Sequence, residues 1–106
     1  MKKNVQMFVS SDECRKMVDW LIENAGKEVE AVIGENGKKI AVTLRYAQPV
    51  KYDGKPAHFF TMVDNRDPFT KSAHGYPKIY VEGEFDSFYS ELKREWDYIK
   101  SIHKAA

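Results

Sequence analysis

Two of the three histidines in the chain, His58 and His74, bracket a segment that also carries acids and cations. Metal-independent cleavage of RNA needs a base for the 2′-hydroxyl, an acid for the leaving oxygen and a cation for the phosphate. The two imidazoles, with Arg66 or Lys71 as the cation, are residue types that fill these roles. A metal-independent ribonuclease is therefore one functional interpretation of this sequence.

The alternative is that these histidines have no catalytic role. His58 is then an ordinary strand residue, and His74 belongs to the turn before Gly75. The histidines and aspartates match no metal-ligand spacing, so no metal site is predicted. The two glycine-containing candidates for phosphate loops, GENG and YDGK, have the length and residues of hairpin turns, and no cofactor is predicted.

Size, charge and cysteine content narrow the class of protein. The chain has 106 residues, which favours a single domain over 1–106. It has 17 Lys and Arg against 16 Asp and Glu, so it lacks the basic excess of a dedicated DNA-binding protein. No apolar run exceeds three residues, which predicts no membrane span. The single cysteine, Cys14, excludes an internal disulfide and favours a cytoplasmic location.

Helical periodicity predicts two helices. Ser10 and Glu13 form a capping-box pattern, and apolar residues at helical spacing follow up to Gly26, which predicts a helix over about 11–25. Cys14 lies on the apolar stripe of this helix, so a buried, unreactive thiol is expected. Asp86 is predicted to cap a second helix over about 87–104. The buried stripe of that helix is predicted to hold Phe88, Leu92, Trp96, Ile99 and His103.

Alternation with a period of two predicts strands over 4–9 and 78–85, with two hairpins between them. In the first hairpin, a type I′ turn at 36–37 would place Ile33 opposite Ile40. The same register would pair Glu28 with Arg45 across the strands.

The second hairpin is predicted to turn at Asp53 and Gly54. Its register, if unbroken, sets Val63 opposite Leu44 and Thr61 opposite Tyr46. The core face of the later strand would then receive Phe59, Thr61 and Val63. The opposite face would receive His58, Phe60 and Met62.

The predicted fold is a single α+β domain with the element order β-α-β-β-β-β-α. Its sheet is mainly antiparallel, and both helices are expected to pack on one face. Residues 64–78 show almost no periodicity and are predicted to form a long loop. Unstructured loops of this length are uncommon unless they are functional or disordered.

The uncovered face of this sheet is the predicted contact surface. Contiguous apolar surface rimmed by polar groups marks contact sites, and aromatic, Met and Arg side chains are enriched there. The expected binding residues are Phe60, Met62, Phe69, Tyr76, His58 and Arg66. The sequence therefore favours a binding protein over an enzyme, either of the inhibitor or immunity type or a homodimer through the open sheet face.

A basic stretch gives a nucleic-acid alternative. Tyr46 and Tyr52 lie among its cations and could stack on bases. The opposing interpretation is that these charges belong to solvated sheet and helix faces. The cations that would contact nucleic acid are Lys38, Lys39, Arg45, Lys51 and Lys55.

Overall fold

The computed structural model of the chain describes residues 2–5, 10–27, 29–34, 41–64 and 75–104, with side chains in 10–27, 29–34, 42–64 and 75–101. The element order is the predicted one. The strands are β1 (Lys2–Val5), β2 (Glu30–Gly34), β3 (Ala41–Tyr52), β4 (Lys55–Asp64) and β5 (Tyr76–Val81), and the helices are α1 (Ser11–Glu23) and α2 (Phe85–Lys104).

The strands form one sheet in the order β1-β2-β3-β4-β5. β1 runs parallel to β2, and each later pair is antiparallel. β1 begins at Lys2, two residues before the predicted start, and residues 6–9 of the predicted strand fall outside the described residues. β5 begins at Tyr76, two residues before the predicted start. Of the predicted 64–78 loop, residues 65–74 lie outside the described residues.

The start of α1 is set by its capping residue. The Glu13 N–H donates to Ser10 Oγ at 3.2 Å, which satisfies one of the amides that a helix start leaves unpaired. The helix ends at Glu23, and Gly26 takes a φ of +86°, which favours glycine. The predicted helix over 11–25 is confirmed to within two residues.

The start of α2 differs from the prediction. Gly83 adopts a φ of +85°, which turns the chain directly after β5, and the Glu84 N–H donates to the Val81 carbonyl at 3.0 Å. The helix therefore begins at Phe85, and Asp86 lies in its first turn. The prediction that Asp86 caps the helix is wrong, because the tight turn starts the helix two residues earlier.

One hydrophobic core lies between the helices and one face of the sheet, as predicted. In α1 the buried residues are Cys14, Met17, Val18 and Leu21. In α2 the predicted stripe is confirmed for Phe88, Leu92, Trp96 and Ile99, while the His103 side chain lies outside the described residues. The sheet contributes Ala31, Ile33, Val42, Leu44, Phe60, Met62 and Tyr80.

The register between β2 and β3 is displaced by two residues from the predicted one. Ile33 lies opposite Val42, and Arg45 donates from Nε to Glu30 Oε2 at 2.7 Å, so the predicted partner Glu28 is wrong. Strand side chains alternate between faces with a period of two, so this even shift leaves every residue on its predicted face. The predicted turn at 36–37 and its neighbour Ile40 lie outside the described residues.

The second hairpin follows its predicted register for only half its length. Asp53 and Gly54 take φ values of +51° and +78°, as a type I′ turn requires, and Gln48 lies opposite Phe59. The register then shifts at Ala47, an extra residue that has no partner on β4. Such a bulge moves the following pairs by one residue, which reverses the faces.

The bulge places Phe60 and Met62 in the core. Phe60 lies opposite Tyr46 and Met62 opposite Leu44, and both side chains are fully buried. The Phe60 ring centroid is 5.3 Å from that of Phe88 on α2. The predictions that His58, Phe60 and Met62 face away from the helices are therefore wrong, since the three share the helix side of β4. Tyr80 stacks on Phe88 at 5.1 Å.

Truncation of adjacent residues tests this assignment of faces. We expect Phe60→Ala to lower the free energy of unfolding by about 3–5 kcal/mol, because it leaves a cavity in the core. Phe59→Ala, on the open face, should cost about 1 kcal/mol or less. Urea denaturation of both variants measures the difference. Equal losses would contradict the bulge at Ala47.

Candidate functional site

The structure brings together only part of the predicted site. Of the predicted contact residues, Phe60 and Met62 lie in the core, and Tyr76 is half-buried against it. Phe69 and Arg66 fall outside the described residues, as do His74 and Lys71. Of the proposed ribonuclease residues, His58 alone is described, so that constellation stays a prediction.

His58 connects three elements through its ring. β4 places it on the helix side of the sheet, where its side chain is 13% exposed. Its Nδ1 lies 2.8 Å from the Tyr46 hydroxyl on β3, and its Nε2 lies 3.0 Å from Glu82 Oε1, just after β5. The tautomer that satisfies both contacts carries its proton on Nε2, so that Nδ1 accepts from Tyr46 and Nε2 donates to Glu82.

The electrostatics of this Tyr46–His58–Glu82 network favour a structural role. Burial, and then the charge of Glu82, raise the pKa of Tyr46 above its ordinary value, which keeps the hydroxyl protonated and a poor nucleophile. Both ring nitrogens of His58 are occupied by protein groups. As arranged here, the network links β3, β4 and the turn after β5.

Cys14 is the one described nucleophile of high intrinsic reactivity, and it is buried. Its side chain is inaccessible, and burial raises the pKa of the thiol from 9.0 to about 12. A position in the first turn of a helix favours the thiolate, but here burial outweighs that effect. The prediction of a buried cysteine is confirmed.

The basic stretch is partly neutralised where the structure describes it. Arg45 is paired with Glu30 at 2.7 Å, and Lys55 lies 3.5 Å from Glu84. The Tyr46 ring packs 5.0 Å from Phe60, whereas Tyr52 is 56% exposed near the hairpin turn. Lys38 and Lys39 lie outside the described residues, and Lys51 is exposed. Contact with nucleic acid stays a prediction.

The face of the sheet opposite the helices, here called the open face, has an orderly apolar pattern. The pairings align its side chains in rows across the strands. Three rows cross β3, β4 and β5, and the last row crosses β2, β3 and β4. Between 57 and 63, and between 77 and 81, every side chain on this face is uncharged. The rows are Val50, Ala57 and Val81; Gln48, Phe59 and Ile79; Arg45, Thr61 and Pro77; and Val32, Thr43 and Val63, of which Thr43 and Val63 are buried.

The residues of the open face differ from those predicted because the local sequence supports either register. FFTMV, residues 59–63, has apolar side chains at both odd and even positions, so a period of two cannot assign its faces. A bulge at alanine has no strong compositional signature. The alternation of Ile79 and Val81 with Lys78 and Tyr80 favours the wrong face, because the wholly apolar pair lies away from the helices while Lys78 and Tyr80 face them.

In comparisons with protein-family models, curated proteins and solved structures, nothing matches this chain. Among the described side chains, no three His, Cys, Asp or Glu residues are grouped as metal ligands. Neither described helix has the length and apolar character needed to cross a membrane.

The Tyr46–His58–Glu82 network predicts a measurable contribution to stability. Tyr46→Phe removes the hydroxyl and leaves His58 Nδ1 without its donor, which should cost about 1 kcal/mol. Tyr98→Phe, at a hydroxyl on the exposed side of α2, is the matched control and should change stability by less than about 0.5 kcal/mol. Indistinguishable urea midpoints for the two variants would contradict the network.

The burial of Cys14 predicts that its thiol reacts slowly with disulfide reagents in the folded protein. Because the thiolate is the reactive species and Cys14 is buried, an aromatic disulfide reagent at pH 8 should label the native chain slowly and the urea-unfolded chain at once. A Cys14→Ala, Lys16→Cys variant moves the thiol to an exposed position of the same helix and should react rapidly when folded. Rapid labelling of native Cys14 would contradict its burial.

Proposed function

We propose that this chain is a small binding protein that acts by protein–protein contact and uses the open face of its sheet. Supporting observations are the contiguous rows of uncharged side chains centred on Phe59 and Ile79 and the packing of both helices on the other face. Large apolar patches on a protein surface are associated with interaction sites. The accessible part of this face lies around Phe59 and Ile79, since Thr43 and Val63 at its other end are 3% and 2% exposed.

The observation that carries the proposal is the pairing of Phe59 with Ile79 beside Ala57 with Val81. These side chains are neighbours on two adjacent strands and are half-buried by one another, apart from the fully covered Ala57. Burial of such a patch against a partner gains about 25 cal/mol for each Å² of apolar area, from which the cost of association is subtracted. The binding energy therefore comes from apolar contact, with little dependence on salt.

The occupant that we favour is a second copy of the chain. An isologous interface sets the same patch against itself, so an uncompensated charge would meet its like. The charged side chains that border the described face are paired within one chain, Arg45 with Glu30 at 2.7 Å and Lys55 with Glu84 at 3.5 Å, so they carry no net charge. Two copies can therefore meet face to face at the spacing of about 10 Å that packed sheets adopt.

This proposal includes a reducing, cytoplasmic location. It is supported by the single buried Cys14, since proteins of oxidising compartments usually use their cysteines in disulfides. An inhibitor or immunity-type role would instead require a different protein on the same face. The two can be distinguished experimentally, because the homodimer forms in the purified protein without a second protein.

Sedimentation equilibrium of the purified chain tests the function. We expect a monomer–dimer equilibrium between micromolar and millimolar concentrations. Ile79→Lys places a charge at the centre of the open face and should weaken association at least about tenfold, because a charge becomes buried without a partner. The thermal midpoint should stay close to that of the wild type.

Tyr98→Lys is the matched control. Tyr98 is 53% exposed on α2, away from the open face, so the same gain of charge should leave the dimer unchanged. A wild-type chain that stays monomeric at every concentration contradicts self-association, and a different protein would then be the candidate occupant. Equal weakening by the two variants would show that association does not use the open face.

A further inference from the structure

Among the described residues, nothing pairs with the outer edge of β5. In the order of described strands β5 lies at the end, with β4 as its one neighbour. The Glu82 N–H donates to the Pro56 carbonyl at 3.1 Å, so the backbone groups of Glu82 point toward β4. In an antiparallel ladder the backbone groups of successive residues point to opposite sides of the strand. Those of Tyr80 and Lys78 therefore also point toward β4, and those of Val81, Ile79 and Pro77 point outward.

The outward groups form a usable hydrogen-bonding edge. The Val81 carbonyl accepts from Glu84 at 3.0 Å, and Pro77 has no N–H. The edge still presents the N–H groups of Ile79 and Val81 and the carbonyls of Ile79 and Pro77. Within the described part of the chain, no hydrogen bond from outside the sheet reaches these four groups.

One flank of α2 lies above this edge. Lys78 on β5 is bonded from Nζ to Glu95 Oε1 at 2.8 Å, with both side chains largely shielded at 13% and 15% exposure. α1 contacts β2 and β3, whereas α2 contacts β5. The flank of α2 that carries Glu95 therefore lies on the side away from α1, over the edge of β5.

A groove follows this flank. It has a volume of about 340 Å³. The side chains that line it are Lys78, Glu91, Arg94, Glu95 and Tyr98. We infer that an extended segment of a partner polypeptide binds here as an additional strand, bonding to the outward groups of β5 and directing alternate side chains into the groove. In such strand addition the backbone bonds supply affinity and the pockets for alternate side chains supply specificity.

The groove indicates the chemistry of that segment. Its four charges cancel in two ion pairs, Lys78 with Glu95 and Arg94 with Glu91, the latter at 2.9 Å. Tyr98 is 53% exposed and offers an aromatic surface, and the aliphatic stems of the charged residues add apolar area. The segment that fits is uncharged on its groove side and carries an apolar or aromatic residue opposite Tyr98.

A second copy is the alternative occupant of this edge. In a two-fold pairing of β5 with itself, centred on Ile79, each Pro77 lies opposite Val81 of the other chain, whose carbonyl is already bonded to Glu84, so the remaining outward groups all find partners. The groove favours an uncharged segment instead, because a second β5 would bring its own Lys78 to the helix side of the sheet. The edge site is thus separate from the open face and does not depend on the proposed function.

Selection of the full chain against a phage-displayed library of random linear peptides tests the inference. Enriched peptides should share apolar residues at alternate positions, and their amide shift changes in NMR should fall on β5 and α2. Val81→Pro removes an outward N–H and should weaken the selected peptide by at least about tenfold. Val81→Ala loses the side chain but keeps the N–H, and should bind within about twofold of wild type.

Tyr98→Ala keeps the test decisive should Val81→Pro fail to fold, because Tyr98 is exposed and its loss leaves the core intact. We expect it to weaken the peptide several-fold and to relax the preference at the opposed position. No enrichment from the library would overturn the inference. So would equal binding of the selected peptide to wild type, Val81→Pro and Tyr98→Ala, or loss of binding with Phe59→Lys, which alters the open face.

Discussion

One extra residue in β3, Ala47, determines which side chains of β4 reach the core. On the side of the bulge toward the hairpin turn, Gln48 pairs with Phe59, and on the other side Tyr46 pairs with Phe60. An unbroken ladder would have sent Phe59 to the helices. The composition of the core, the apolar open face and the positions of the β5 side chains all follow from this single irregularity, because a shift of one residue reverses a whole strand segment.

The Tyr46–His58–Glu82 network is placed to hold that register. Tyr46 directly precedes the bulge, and His58 lies opposite Pro49, just beyond it. Both registers bury one phenylalanine in the core, so burial of phenylalanine does not decide between them. The two polar contacts of His58, each worth about 1 kcal/mol, form only in the observed register and therefore favour it.

The helices and the hairpin turn at Asp53 could be predicted because their signals are local. Ser10 and an apolar stripe define α1, and Asp-Gly defines the turn. The two-residue displacement of the register between β2 and β3 did not change which side chains face the core, because an even shift leaves each residue on the same face of the sheet. The bulge could not be predicted, because FFTMV has apolar residues at both odd and even positions. The choice between the two registers depends on contacts with Phe88 and Glu82, which are distant in the sequence. An open face was predictable, but not its residues.

The two proposed surfaces use different forces and different parts of the same residues. The side chain of Val81 belongs to the open face, whereas its N–H belongs to the edge of β5. Contact on the face is apolar and tolerates small rotations of the partner. Strand addition depends on directional hydrogen bonds, and the added strand would lie about 4.8 Å from β5 in the plane of the sheet. A partner sheet would lie about 10 Å above that plane. The two occupants therefore do not collide near β5, and one chain can hold both at once.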